Sequence, residues 1–242
     1  MRIASFNMRQ GGSHTHWRQI LAAAEPDLLF VQESKDPAQF GADLLEPLPL
    51  ERTIWRPTSH GKWGSALFSR SPLAPIPVPG FEGWVTGGEV QVPAEPLLAF
   101  SVHLPSQGSY LQAGHNLLDA LRPIVKGRPV VLGGDWNFTV CPREADDPTE
   151  HRPGELDFLE RIAAEFGLKP AWRSANPMGP LPQTLRWMRD PTTPYHCDGV
   201  FLPQSEDQAV RSAIVLQGHP WDTLSDHNPL IVDWEVAGER PG

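Results

Sequence analysis

Runs of apolar residues that end abruptly in polar ones organise this chain. Residues 2–6 (RIASF), 28–33 (LLFVQE), 63–69, 88–92, 97–103, 129–134, 198–202, 210–215 and 229–235 read as short strands. LLFVQE and LLAFSV are almost continuously apolar, as expected of strands covered on both faces. Helical spacing appears in between. Residues 17–25 form a short helix that Pro26 ends, because the residue before proline is pushed out of the helical region. In 110–125, Leu117, Leu118, Leu121, Ile124 and Val125 share a face. In 155–166, Leu156, Leu159, Ala163 and Phe166 do the same, with Glu155 and Asp157 at the start and Gly167 as the stop. The Pro-rich stretches 71–83 and 174–183 read as surface connections. Many short strands with helices between them predict a layered α/β protein, sheets inside and helices outside.

The polar residues that end these strands are of few kinds. Asn7 follows IASF, Glu33 follows LLFVQ, and His103 follows LLAFSV. Asp135 and Asn137 follow VVLGG, Asp198 opens DGVFL, and Asp226 and His227 precede NPLIVDW. Packing alone does not call for carboxylates there, since an unpaired buried carboxylate is costly. Asn7, Glu33 and Asp135 offer hard oxygen ligands suited to Mg2+ or Mn2+. His103 and His227 titrate near neutral pH, and an Asp beside a His fixes its tautomer. With no Ser or Cys nucleophile motif, the set points to hydrolysis by activated water, and a phosphate ester most needs its charge neutralised.

Composition narrows the alternatives. At 242 residues the chain suits one domain, 1–242, with 40% hydrophobic and 20% charged residues. The 27 prolines and 21 glycines imply many turns. A net charge of −9 argues against gripping nucleic acid by bulk charge, but not against an acidic site whose field a metal reverses. Two cysteines, Cys141 and Cys197, without C-x-x-C spacing, read as reduced thiols rather than a zinc site. No apolar run is long enough to span a membrane and no leader is visible, so a cytoplasmic location is expected, and nothing points to an obligate oligomer.

The motifs ASFNMR (4–9), PDLLFVQES (26–34), WGSALFSR (63–70), FSVHLPS (100–106), VLGGDWNF (131–138), HCDGVFL (196–202) and SDHNPL (225–230) occur in an order that resembles the endonuclease/exonuclease/phosphatase family, the deoxyribonuclease I-like fold. The resemblance covers nearly the whole chain. It implies a four-layer α/β/β/α sandwich of two packed, mostly antiparallel sheets flanked by helices, and hydrolysis of phosphate esters with Mg2+ or Mn2+. It assigns Glu33 and Asn7 to the metal, with Asp226 as a further metal-side or network carboxylate. Asp135 orients or deprotonates the attacking water, and Asn137 holds a phosphate oxygen. His227 is a general base or charge stabiliser oriented by Asp198, and His103 contacts the phosphate or protonates the leaving group. The exonuclease III branch typically shows Tyr where this chain has His103, so the His leans toward the branch of deoxyribonuclease I and the phosphoinositide phosphatases.

Substrate contacts are thinner. Of nine tryptophans, Trp136 lies inside the G-D-x-N motif and Trp187 beside the site, where an indole either stacks on a base or packs as an ordinary aromatic. Arg supplies 16 of the 20 basic residues, and TLRWMRD places Arg186 and Arg189 near the expected rim. Three readings stand: a nuclease, which is favoured; a phosphatase or phosphodiesterase for a small or lipid-linked phosphate; and an inactive binding module on the same fold.

Overall fold

The strands pair into two six-stranded sheets laid face to face. The computed structural model describes residues 1–40, 52–93, 95–106, 108–144, 150–189, 195–203 and 210–235. The first sheet gathers β1 (Arg2–Asn7), β2 (Leu28–Ser34), β3 (Thr53–Pro57), β4 (Gly64–Ser69), β11 (Val210–Val215) and β12 (Leu230–Trp234), ordered β11-β12-β1-β2-β4-β3. The second gathers β5 (Leu73–Ile76), β6 (Val85–Val90), β7 (Leu97–His103), β8 (Val130–Asp135), β9 (Leu168–Pro170) and β10 (Asp198–Pro203), ordered β5-β6-β7-β8-β10-β9. One pair in each sheet is parallel, β1 with β2 and β7 with β8, and the other pairings are antiparallel.

Three apolar layers fill the gaps. Ile3, Phe30, Leu67, Ala99, Val131 and Val200 meet between the sheets. Phe6, Leu29 and Val31 on the other face of the first sheet pack on Trp17 and Ile20 of α1 (His14–Ala24). Phe100 and Leu132 of the second sheet pack on Leu117 and Leu121 of α2 (Tyr110–Val125) and on Phe158 and Ile162 of α3 (Glu155–Phe166). This is the α/β/β/α sandwich. The central strands β7 and β8 are buried at every position, which is why they read as apolar runs.

The sequence reading missed elements at the margins. β3, β5 and β9 are edge strands, and β3 and β5 have no fully buried position, so no apolar run marks them. β5 lies inside the Pro-rich stretch read as a connection; Pro75 is tolerated there because an edge strand leaves one row of N–H groups unpaired. Two short helices, α4 (Ala171–Ala175) and α5 (Trp221–Leu224), were also unread, and α1 begins three residues before the expected start.

The paired glycines of VVLGGD set the sheet spacing. A Cβ on Gly133 would stand 2.3 Å from the Phe30 ring on the opposite sheet, and one on Gly134 would stand 1.9 Å from the carbonyl oxygen of Val102. Only glycine lets β8 approach both neighbours this closely while carrying Asp135 at its end. Buried polar bonds tie the sheets as well: Gln32 donates to Ser101 Oγ, which donates to the carbonyl of Val31.

Candidate active site

One row of the site comes from the second sheet. His103 at the end of β7 and Asp198 at the start of β10 are both register partners of Asp135 at the end of β8. The other half comes from the first sheet. Asn7 ends β1, and Glu33 lies where the register of β2 against β4 shifts between Val31 and Ser34. Glu33 has φ 54°, in the left-handed region. A non-glycine residue held there, at a bulge, re-aims its side chain at some cost in strain. Asn137 has φ 59° and is held by its own N–H, which donates to Asp135 Oδ1.

These groups form a connected set across the seam. His227 Nδ1 donates to Asp198 Oδ2 at 2.9 Å, and its Nε2 lies 3.8 Å from Asp135 Oδ2. Asn7 Nδ2 donates to Asp135 Oδ2 at 2.9 Å and to Glu33 Oε1 at 3.2 Å. His103 Nε2 lies 3.6 Å from Glu33 Oε1 and 3.8 Å from Asp135 Oδ2. The Asn137 amide donates to the carbonyl of Leu104.

Burial sets the charges, and it does so differently for the two histidines. Burial alone would lower both. At His103 it wins, and the ring is pushed down to about 4. At His227 the Asp198 and Asp135 carboxylates outweigh it and carry the ring up to about 10. At neutral pH, His103 is therefore neutral and His227 a cation. Burial also raises Glu33, with Asn7 opposing, and raises Asp135, with His227 opposing.

The donor set fits a hard divalent cation. Glu33 and Asp135 sit close together with an amide and a neutral imidazole as neighbours, and their raised carboxyls mark a site short of positive charge. Asp226 stands beside this group. Its Oδ2 pairs with Arg9 Nε at 3.1 Å, while its Oδ1 is buried without a hydrogen-bond partner. Glu33 and Asp135 bring their carboxylates together here, with the Asn7 amide donating to both and its Oδ1 accepting from the N–H of Arg9.

Two expected substrate contacts are corrected. Trp136 is wholly buried between Phe158 and Phe201, with ring centroids 5.6 and 5.1 Å away, so it offers no face to a base. Its place between β8 and α3 makes it a core residue. Arg186 is also buried, and its guanidinium donates to the carbonyls of Ser225 and Trp221 and to the Asn228 side chain. It is thus spent on holding the loop that carries Asp226 and His227. Trp187 does lie on the surface, 57% exposed, beside Tyr195. Its neighbour two residues back, Leu185, bridges to both Tyr195 and His227. Arg189 ends the same turn, and its side chain lies outside the described residues.

Trp63, which the WGSALFSR motif places beside the site, packs on the His103 ring at 5.4 Å. The sequence reading missed two features. Trp84 packs on the same ring at 5.2 Å. Trp84 lies in a turn before β6, and no periodicity connects it to the site. Ser225 ties the loop before β12 to the end of β1: its hydroxyl donates to the carbonyl of Asn7 and accepts from the N–H of His227.

The fold and this row of carboxylates, amide and histidines define the class of hydrolases that act on phosphate esters. The model of the endonuclease/exonuclease/phosphatase family matches residues 4–227, and the chain belongs to that family. Among solved structures, it is similar to the 3′ phosphatase NExo from Neisseria bound to product DNA hairpin, at 19% identity, with 98% of this chain and 100% of that one covered and a TM-score of 0.74. It is also similar to an AP endonuclease from Archaeoglobus fulgidus, at 17% identity, with 98% and 100% covered and a TM-score of 0.73. A further likeness is to the endonuclease domain of TRAS1, a telomere-specific non-LTR retrotransposon, at 13% identity, with 96% and 97% covered and a TM-score of 0.67. No curated protein matches it in sequence.

Proposed function

We propose that the chain is a divalent-metal-dependent phosphodiester hydrolase whose favoured substrate is nucleic acid. The observation that carries this reading is the chain of contacts drawn from both sheets: Asp198 hydrogen-bonded to His227, His227 3.8 Å from Asp135, and Asp135 linked through the Asn7 amide to Glu33. Mg2+ or Mn2+ held by Glu33 and Asn7 supplies charge neutralisation at the phosphate oxygens.

The protein groups divide the remaining work. Asp198 holds His227 by Nδ1, leaving the Nε2 proton to face the cleft. A cationic His227 donates that proton as a hydrogen bond to a phosphate oxygen and stabilises charge that builds in the transition state. Asp135, raised by burial, is the better placed base and orients the attacking water. Neutral His103 donates one N–H toward the phosphate or leaving group. Asn137 fixes a phosphate oxygen.

Trp187 supports the nucleic-acid preference, since an exposed indole can stack on a base at about 1–3 kcal/mol. The names of the similar structures point the same way: a 3′ phosphatase with a DNA hairpin and an AP endonuclease. The net charge of −9 favours the second reading, a small or lipid-linked phosphate. The reading takes the protein as a single-domain, monomeric, cytoplasmic enzyme; among the described residues, no helix is long and apolar enough to cross a membrane.

Supercoiled-plasmid cleavage with Mg2+, Mn2+ or EDTA, run beside Asp135→Ala, tests it. Metal-dependent nicking that the variant loses is expected. A folded protein that nicks nothing but releases phosphate from small esters moves the assignment to the second reading. Failure on both removes the hydrolase reading.

A further inference from the structure

Asp135, which faces Glu33 on one side, also belongs to a donor set of another kind. Cys197 stands one residue before Asp198, and its thiol is buried with Sγ 3.7 Å from Asp198 Oδ2. The same thiol faces the Asp135 carboxyl. Sγ, a ring nitrogen of His227 and one oxygen each from Asp135 and Asp198 all lie within 4.8 Å of one another. Hydrolysis leaves two parts of this cluster unused. Water-based chemistry has no role for a thiol, and Asp198 Oδ1 is buried with no hydrogen-bond partner, so one lone-pair site in the cluster is uncommitted.

Sulfur, imidazole and carboxylate together suit a cation softer than the one an all-oxygen set takes. Mg2+ and Mn2+ select oxygen, whereas Zn2+ and its heavier relatives accept Cys, His and Asp in one site. The lack of C-x-x-C spacing argued against zinc on the two cysteines, and Cys141 indeed lies outside the cluster. One cysteine suffices once the fold brings an imidazole and two carboxylates to it.

We propose that Cys197, Asp198, His227 and Asp135 form a second cation site, selective for a thiophilic divalent ion of the Zn2+ class, and that its occupancy switches hydrolysis off. Binding sends the thiol proton and the proton between His227 and Asp198 to solvent, and the sulfur and nitrogen lone pairs go to the ion. His227 is then pinned as a neutral imidazole with only its Nε2–H, and the imidazolium charge it would bring to the phosphate is lost. The switching-off rests on the hydrolase reading above; the binding does not.

Cd2+ is the probe, because its bond to a thiolate absorbs in the ultraviolet. Chelator-stripped wild type, Cys197→Ser, Cys141→Ser and Glu33→Gln are titrated with it. The absorption is expected to saturate at one equivalent in all but Cys197→Ser, whose near-ultraviolet circular dichroism stays that of the wild type. Cadmium NMR of the wild type reads the same point without a variant: a resonance in the sulfur-ligated range is expected. In Mg2+-supported hydrolysis, Cys197→Ser should need at least about tenfold more Zn2+ for half-inhibition, the size of effect seen even for groups one shell away from a metal. No thiolate absorption in the wild type, an absorption that survives Cys197→Ser, or equal Zn2+ sensitivity of the two proteins overturns the proposal. A wild type that shows the absorption but hydrolyses no phosphate ester with Mg2+ upholds the site and removes the hydrolase reading instead.

Discussion

Replacing Asp198 by Asn tests the charge assignment of the dyad. The substitution keeps the volume and a hydrogen-bonding oxygen 2.9 Å from His227 Nδ1 but removes one negative charge. A unit-charge pair about 4 Å apart is worth ~4 kcal/mol at an effective dielectric of 20, and at 1.36 kcal/mol per pH unit that is about three units. This matches the rise of His227 to about 10 from the ordinary 6.5. In Asp198→Asn the ring should therefore titrate near neutrality. Stability should follow. A histidine raised in the folded state stabilises fully below its unfolded pKa and loses that contribution as pH climbs through the folded one. The wild type should thus lose about 4 kcal/mol of unfolding free energy between pH 6.5 and 10, and the variant about 1 or less. Urea midpoints across that range, in EDTA, read the stability, and NMR of the imidazole ring reads the titration. A wild-type ring that titrates near 6.5, or parallel stability curves for the two proteins, refutes the electrostatic account.

Other consequences follow from the same geometry. Asp135→Ala and His227→Ala should abolish turnover in plasmid cleavage while circular dichroism shows the fold intact; wild-type rates in either would disprove the site assignment. Gly133→Ala drives a Cβ into the Phe30 ring, so it should cost about 1–3 kcal/mol, a Tm drop of roughly 2–12 °C by calorimetry for a chain of this size. Arg186→Ala leaves the carbonyls of Ser225 and Trp221 without their donor and should lower both stability, by about 2 kcal/mol, and kcat, whereas a surface phosphate contact would raise KM alone. Trp187→Ala should leave Tm unchanged and raise KM for nucleic acid but not for a small phosphodiester.

Much of this architecture is legible because the central strands are covered on both faces. Such strands must be apolar along their length, so a polar residue at the end of one is conspicuous, and His103, Asp135 and Asp198 are three ends in one register row. The edge strands carry no such signal. β3 and β5 have no fully buried position, and Pro75 removes the usual sign of pairing. The side chains that read wrongly are amphipathic ones. Trp136 and Arg186 stand beside motif residues in sequence, yet each points the other way, the indole into the layer under α3 and the guanidinium into the 225–228 loop. Sequence adjacency fixes which residues are near the site but not which side of the strand or loop they take.

The opposed charge states of the two histidines were beyond sequence for a further reason. Both are buried strand-end or loop histidines with Asp135 3.8 Å away. What separates them is the second neighbour. His103 meets Trp63 and Trp84, which exclude water, and faces the charge of His227, which lowers it further, so desolvation wins although Glu33 lies 3.6 Å away. His227 meets Asp198, whose carboxylate returns more than desolvation removes. These neighbours are distant in the chain: Trp63 arrives from the residue before β4 of the first sheet, Trp84 from the turn before β6 and Asp198 from β10 of the second sheet, so the charge difference exists only once the sheets are closed on each other. The same closure depends on Gly133 admitting Phe30. A packing change there should therefore reach the chemistry through the charges of the two rings, before any catalytic side chain is itself altered.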